Sequence, residues 1–122
     1  MEYMSERVPI EILERHREYY NKQEGRKYPC SNQTVVCGIF TDDRNKAVDF
    51  MEDKDIVDIR VMHDEIVWRL RNGEKWVWRH WNEYCRGYRF YKVAVDKDVD
   101  SELFENMILV CTSFYCCSFE II

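Results

Sequence analysis

The sequence predicts an α/β domain with a mixed β-sheet, and an α+β arrangement is the alternative. Three observations lead to this prediction. Residues 34–40 form a nearly continuous apolar run, which is typical of a strand buried on both faces. A helical pattern follows, and residues 56–62 then alternate between apolar and polar, as in a half-buried strand. Finally, Asn72-Gly73 lies between two alternating segments, which is a strong local signal for a β-hairpin.

Length and composition fit one domain over residues 1–122. The chain has 122 residues, of which 46% are hydrophobic and 15% aromatic, so it can form one hydrophobic core. It contains no run of 18 apolar residues, so we expect no membrane span. The first 20 residues are charged throughout and lack the apolar segment of a secretory signal. We therefore expect a protein of the host-cell cytosol.

The remaining elements follow from capping residues and periodicity. Residues 9–24 form a predicted helix that begins at Pro9 and packs on a mixed-sheet core of residues 34–122. Thr41 or Asp42 caps a second helix that ends near residue 53, and Asp98 or Asp100 caps a short third one. Residues 88–95, 108–112 and 115–122 are predicted strands. The sheet thus has a central hairpin and about three helices.

Six cysteines are many for this length: Cys30, Cys37, Cys85, Cys111, Cys116 and Cys117. Three disulfides or a zinc site are the alternatives to free thiols. The sequence has no Cys-x-x-Cys pair, and no signal peptide directs it to an oxidising compartment. Buried free cysteines are therefore the preferred interpretation, and we expect neither a metal nor another cofactor.

The hairpin is predicted to carry the functional surface. If Asn72 and Gly73 form a two-residue turn, Arg69 lies opposite Trp76, and Val67 lies opposite Trp78. One face then combines Trp76 and Trp78 with Arg69 and Arg71, residue types that are enriched at binding hot spots. The simpler interpretation is that the arginines only cover an aromatic face through cation–π contacts.

Charge is unevenly distributed along the chain. The net charge is −5, but residues 60–92 carry eight basic and four acidic side chains. The rest of the chain is strongly acidic, which argues against non-specific duplex binding. The basic segment suits a nucleotide, a short single strand or an acidic partner, and the acidic remainder suits a basic partner.

Part of the chain resembles the ATPase core of large terminase subunits from tailed phages. The resemblance extends over residues 34–122, and its motifs are short. The residues that carry it are Asn72, Gly73, Arg86, Gly87, Tyr88, Arg89, the strand at residues 92–95, and Asp96. In that family an acidic residue at the end of such a strand holds magnesium. The resemblance implies a nucleotide site at Arg86, Arg89 and Asp96, in a phage or prophage protein.

The chain lacks motifs that this family needs for ATP hydrolysis. It lacks G-x-x-x-x-G-K-[ST], whose amides and lysine hold the phosphates. Lys97 stands where the family usually has a second acidic residue. At most, the resemblance implies a degenerate relative without ATPase activity. Asp96 remains the best single candidate for a site residue, since ligands gather at the carboxyl ends of strands in α/β sheets.

The sequence therefore favours a binding protein without turnover. The first hypothesis is a small phage or mobile-element protein that binds a host protein or complex, for example as an inhibitor of host defence. A degenerate nucleotide-binding domain is the second. A single-strand binder that stacks bases on Trp76, Trp78 and Trp81 is the third. The sequence does not indicate an oligomeric state.

Overall fold

The described residues form a six-stranded mixed β-sheet with helices on both faces, which confirms the predicted α/β class. The computed structural model describes residues 6–22, 35–82, 85, 87–112 and 116–122. The strands are β1 Val35–Phe40, β2 Ile56–Val61, β3 Glu65–Leu70, β4 Glu74–Arg79, β5 Lys92–Val95 and β6 Ser118–Ile121. The helices are α1 Ile10–Asn21, α2 Arg44–Met51 and α3, which covers residues 101–112 and contains a π-helical turn at Phe104–Ile108.

The strand order is β2-β3-β4-β1-β5-β6. Strand β3 is antiparallel to both of its neighbours, whereas β4, β1, β5 and β6 are mutually parallel. Strand β1 lies among the parallel strands, with β4 on one side and β5 on the other. Its residues are buried from Cys37 to Phe40, as the apolar run predicted.

Each face of the sheet has its own hydrophobic core. Helix α2 places Ala47 and Met51 on the first face, where they join the tryptophans of β3 and β4. Helices α1 and α3 cover the second face above β1, β5 and β6. On that face the Tyr20 ring stacks on Phe119 of β6, with 5.8 Å between the ring centroids. After β1 the chain passes to the first face, where α2 lies, and after β5 it passes to the second face, where α3 lies.

Two of the predicted strands are not formed as expected. Residues 108–112 are helical, because the helix that Asp100 caps continues through them. The buried residues Phe104, Met107, Ile108 and Cys111 follow the i, i+3, i+4, i+7 spacing of a helix face. Residues 88–91 precede β5 instead of extending it. There the backbone N–H of Phe90 donates to Cys111, and that of Tyr91 donates to Val36.

The hairpin forms at the predicted place but in a different register. Gly73 has φ +94°, and no other described residue has a positive φ, so Asn72 does not adopt the type I′ conformation. Arg69 pairs with Lys75 and the N–H of Gly73 donates to Leu70, so the loop has three residues. Such loops combine a type I turn with a glycine in the left-handed region. One extra loop residue moves every side chain of one strand to the other face.

Five of the six cysteines are free and buried, in agreement with the sequence prediction. Cys30 lies outside the described residues. None of the helices in the described part of the chain has the length and apolar character that crossing a bilayer requires.

Candidate functional site

A crevice opens at the carboxyl ends of β1 and β5, where the chain departs toward opposite faces of the sheet. Ligands of open α/β sheets bind at such a point, because the diverging connections leave a gap between two adjacent strands. The crevice has a volume of about 380 Å³. Phe40 and Trp81 form apolar parts of its wall, and Trp81 Nε1 anchors the wall by donating to the carbonyl of Ile39 at 2.6 Å.

Asp96, the candidate site residue of the sequence analysis, directly follows β5 and lines the crevice. Its Oδ2 accepts a hydrogen bond from the Thr41 hydroxyl at 2.6 Å. Its Oδ1 accepts from Lys46 Nζ at 3.0 Å and from the backbone N–H of Asp98 at 2.9 Å. The carboxylate therefore connects β1, α2 and the turn that follows β5.

These hydrogen bonds determine the ionisation of Asp96. Burial by itself raises the pKa of this carboxyl, because the charged form loses water. The hydrogen bonds from Thr41 and from the backbone of Asp98, together with the charge of Lys46, outweigh burial and hold the pKa below its ordinary value. Asp96 is thus a stable anion with both oxygens engaged. A general base works best with a pKa near the working pH, so this carboxylate suits binding better than proton abstraction.

The charged residues that line the crevice are mostly acidic. They are Arg7, Asp42, Asp43, Asp96, Asp98 and Asp100. Arg7 donates to Asp98 at 2.9 Å across the mouth, where both side chains are largely exposed. Such exposed pairs contribute little to stability, so this one can rearrange when a ligand arrives.

Two of the aspartates cap the N-termini of the helices that begin beside the crevice. Asp43, and not Thr41 or Asp42 as predicted, accepts hydrogen bonds from the N–H groups of Asn45 and Lys46 and so caps α2. Asp100 accepts from the N–H of Leu103 through Oδ2 and caps α3. The other oxygen of Asp100 is buried and has no hydrogen-bond partner among the described residues. An unsatisfied buried acceptor is costly, because it has lost its hydrogen bonds to water without gaining others.

The predicted tryptophan and arginine surface is not formed. Trp76 and Trp78 are only 4% and 2% exposed, because the three-residue loop places them on the face that α2 covers. Arg69 and Arg71 are exposed, and Arg69 pairs with Lys75 on the opposite face. The cation–π partners of the buried indoles come from elsewhere: Arg44 lies 6.0 Å from the Trp78 ring and Lys54 lies 5.7 Å from the Trp76 ring.

The same burial corrects the prediction of base stacking. Trp76 donates its Nε1–H to the buried Glu74 at 3.0 Å, and Trp78 donates to the Thr41 carbonyl at 2.8 Å. Both rings are therefore part of the core, and neither can offer a face to a nucleic-acid base. Trp81 alone of the three proposed stacking residues is partly exposed.

Of the two arginines expected to bind a nucleotide, the one that the structure describes does not line the crevice around Asp96. Arg86 lies outside the described residues. Arg89 is exposed, donates to the carbonyl of Tyr88 at 2.9 Å, and is not among the described residues that line the crevice. The cations that do approach the site are Arg7 and Lys46. Within the described ranges, no group of three or more His, Cys, Asp or Glu side chains is arranged to hold a metal ion.

The residues around Asp96 that sequence reasoning missed are Arg7, Lys46 and Thr41. Thr41 was recognisable, since it ends the strand parallel to the one that Asp96 ends. Arg7 precedes α1 and pairs with a residue 91 positions away, so only the tertiary fold brings it to the site.

The fold defines the chain as an α/β protein with a crevice at the carboxyl edge of its sheet. Comparison with protein-family models, with curated proteins and with solved structures finds no match to this chain. The resemblance to phage terminases therefore stays a prediction.

Proposed function

We propose that this chain is a non-enzymatic binding protein whose crevice receives a basic group of a partner protein, namely a lysine or arginine side chain. The observation that carries the proposal is the charge of the crevice: five aspartates line it and one arginine opposes them. Counting Lys46, which bonds to Asp96 from α2, the site still has three more carboxylates than cations.

The shape of the crevice supports a side chain as the ligand. An extended lysine or arginine has an apolar stem and a charged end. Trp81, which is partly exposed, can contact the stem, while Asp42 and Asp98 at the exposed mouth attract the charge. Because the charges are arranged around a concave surface, they steer a basic segment toward it and raise the association rate.

The biological setting is also a proposal. Small size, acidity and the resemblance to phage terminases support a protein of a phage or mobile element that acts in the host cytosol. Its partner would be a host protein or complex, for example one that serves in defence. An acidic protein of this kind can occupy a surface that evolved to bind nucleic acid, since such surfaces are rich in lysine and arginine.

A degenerate nucleotide-binding domain is the second candidate. The observation that favours it is the hydrogen bond between Thr41 and Asp96, at the ends of two adjacent parallel strands where nucleotides bind in α/β sheets. The acidic lining argues against it. A triphosphate would face the carboxylates of Asp42, Asp43, Asp98 and Asp100 with Arg7 as the only lining cation among the described residues.

Isothermal titration with a short lysine-rich peptide and, separately, with ATP and magnesium distinguishes the two candidates. We expect heat from the peptide, salt-sensitive affinity and a change in Trp81 emission, because Trp81 lines the crevice. Asp42→Asn with Asp98→Asn should weaken the peptide about tenfold, since each lost charge contact is worth roughly 0.5–1 kcal/mol at an exposed site.

The matched control removes two carboxylates from elsewhere on the surface. Asp49→Asn with Glu52→Gln changes the net charge equally at exposed positions outside the crevice. If both double variants lose affinity equally, the peptide binds through net charge alone and the crevice is not its site. Nucleotide heat that Thr41→Val abolishes would support the second candidate instead.

A further inference from the structure

Strand β2 forms one edge of the sheet and is exposed along almost its whole length. It pairs only with β3 within the described chain, and every residue from Val57 to Val61 is exposed. Val57, Ile59 and Val61 are 52%, 51% and 59% exposed. Apolar edge strands are rare in monomers, because their free N–H and C=O groups invite pairing with another strand.

The free backbone groups of β2 can be assigned from its pairing with β3. The N–H of Met62 donates to the carbonyl of Glu65, and Arg60 lies opposite Val67. Ladder hydrogen bonds of antiparallel strands involve every second residue. The backbone groups of Arg60 and Asp58 therefore point toward β3, while those of Val61 and Ile59 point away from the sheet.

The sequence of this edge is complementary to itself. Residues 57–61 read Val-Asp-Ile-Arg-Val. When two copies pair in antiparallel fashion about a twofold axis at Ile59, each Asp58 lies opposite Arg60 of the other copy. Ile59 then lies opposite Ile59, and Val57 lies opposite Val61. Neither Asp58 nor Arg60 forms an ion pair within the described chain.

We infer that two copies of this chain associate through β2, in the register centred on Ile59, to form a continuous sheet across a twofold axis. The inference concerns a different surface from the crevice and does not depend on the proposed function. In this register Ile59 makes a hydrogen-bonded pair with its copy, as its outward N–H and C=O require. Asp58 and Arg60 then form the non-hydrogen-bonded pairs, in which opposing side chains lie closest.

The two charges also exclude the neighbouring registers. Sliding one copy by two residues in one direction places Arg60 opposite Arg60, and sliding it in the other places Asp58 opposite Asp58. Like charges directly opposite each other are destabilising in a sheet. Charges on an edge strand commonly prevent aggregation. Here the same two charges favour the register centred on Ile59 over its neighbours. Pairing in that register uses the β2 edge of both copies, so the association ends at a dimer.

The strength of the dimer follows from the size of the contact. The ladder is short, because a bulge interrupts β2 between Ile56 and Asp58. A single pair of strands buries an area at the low end of specific interfaces. We therefore expect a reversible dimer that dissociates in the micromolar range.

Sedimentation velocity over a range from a few to several hundred micromolar tests the inference. The full chain should change from monomer to dimer across this range. Asp58→Arg should weaken the dimer at least tenfold, because it creates two Arg–Arg contacts. The double variant Asp58→Arg, Arg60→Asp should restore it, because the pairs are re-formed with their signs exchanged. Glu14→Arg on α1 changes the net charge equally at an exposed position and should have no effect.

A covalent test does not depend on affinity. Ile59→Cys places two thiols opposite each other on the twofold axis, at the separation that a disulfide accepts. Mild oxidation should yield a covalent dimer far faster than for Glu14→Cys. Three outcomes would overturn the inference: a monomer at every concentration, a dimer that Asp58→Arg leaves intact or the exchanged pair fails to restore, or equal cross-linking of the two cysteine variants.

Discussion

At the scale of single residues, Gly38 shows how closely the second face of the sheet is packed. It lies in the middle of β1, beneath the rings of Phe40 and Phe90, which meet edge to face with 5.3 Å between their centroids. A Cβ atom at Gly38 would lie 2.8 Å from Cε1 of Phe90 and 2.9 Å from Cε2 of Phe40. A glycine inside a strand commonly marks such a close approach. The missing side chain is therefore a packing requirement.

Gly38→Ala should destabilise the fold by about 2 kcal/mol, because the added methyl must displace two buried rings. Gly87→Ala is the matched control, since a Cβ there meets no atom within 4 Å. Urea unfolding of both variants measures the difference. Equal stability of the two variants would mean that the rings move aside without cost and that the packing argument is wrong.

A second residue-scale feature is the buried carboxylate of Glu74. It is 4% exposed, its Oε2 forms an ion pair with Lys92 Nζ at 2.7 Å, and its Oε1 accepts a hydrogen bond from Trp76 Nε1 at 3.0 Å. Lys92 begins β5 and Glu74 begins β4, so the ion pair bridges the two neighbours of β1. Beneath it, burial above all, with a contribution from Glu74, raises the pKa of the Cys37 thiol well above its ordinary value. Cys37 is therefore an unreactive core residue.

At the scale of elements, the sequence predicted those segments whose signal is local. The buried strand β1, the approximate extent of helix α2 and the position of the hairpin all follow from adjacent residues. The third helix was predicted only in its first half, because the β-branched and apolar residues after Ile108 suit a strand as well as a helix. Packing against the sheet decides between them, and that is not a local property.

The register of the hairpin was the most consequential error. Asn72-Gly73 suits a two-residue loop and also a three-residue loop with glycine in the left-handed region, and the sequence does not distinguish them. The difference is one residue, yet it exchanges the two faces of β4. The alternation in the sequence was correct, but it could not tell which face α2 would cover. The predicted binding surface failed for this reason alone.

Tryptophan fluorescence can test the corrected register. Trp81→Phe removes the only partly exposed indole and leaves Trp68, Trp76 and Trp78, which are 3%, 4% and 2% exposed. The folded variant should emit at short wavelength and resist quenching by iodide, whereas the variant unfolded in guanidinium should be quenched freely. Strong quenching of the folded variant would restore the exposed aromatic face that the two-residue loop implies.

At the scale of the whole molecule, charge and topology act together. From the sequence, the basic segment around the hairpin was expected to form the binding surface. The fold gives a different result, because it brings Arg7 and the acidic turns after β1 and β5 to one edge of the sheet. Asp96 was predicted as a site residue, since its position at the end of a strand could be inferred from the sequence. Of the surrounding carboxylates, Asp42, Asp98 and Asp100 were predicted only as candidate helix caps.

The fold should lose stability in acid through Glu74 and Asp96, the acidic residues that are buried in the described part of the chain. Burial raises the pKa of Glu74 and of Asp96, but hydrogen bonds and the nearby lysines outweigh it and lower the pKa of each. A carboxyl with a lowered pKa in the folded state stabilises the fold above its unfolded pKa, which is about 4. That contribution decreases as the pH falls below about 4, because protonation then favours the unfolded chain. Between about pH 5 and 7 both carboxyls are ionised in the folded and in the unfolded chain. They therefore contribute no pH dependence to the stability in this range.

Asp96→Asn isolates one of these contributions. It should lower the free energy of unfolding at pH 7 by about 2 kcal/mol, because the charge-assisted hydrogen bonds from Thr41 and Lys46 are weakened. It should also make the loss of stability below about pH 4 less steep, because the site no longer takes up a proton on unfolding.

Asp49→Asn controls for the loss of one exposed carboxylate. Urea unfolding between about pH 2 and 7 measures both effects. The stability of the Asp96→Asn variant could instead decrease with falling pH as steeply as that of the unaltered chain. That result would show that the fold does not hold Asp96 as an anion. The crevice would then lack the fixed negative charge on which binding of a basic partner depends.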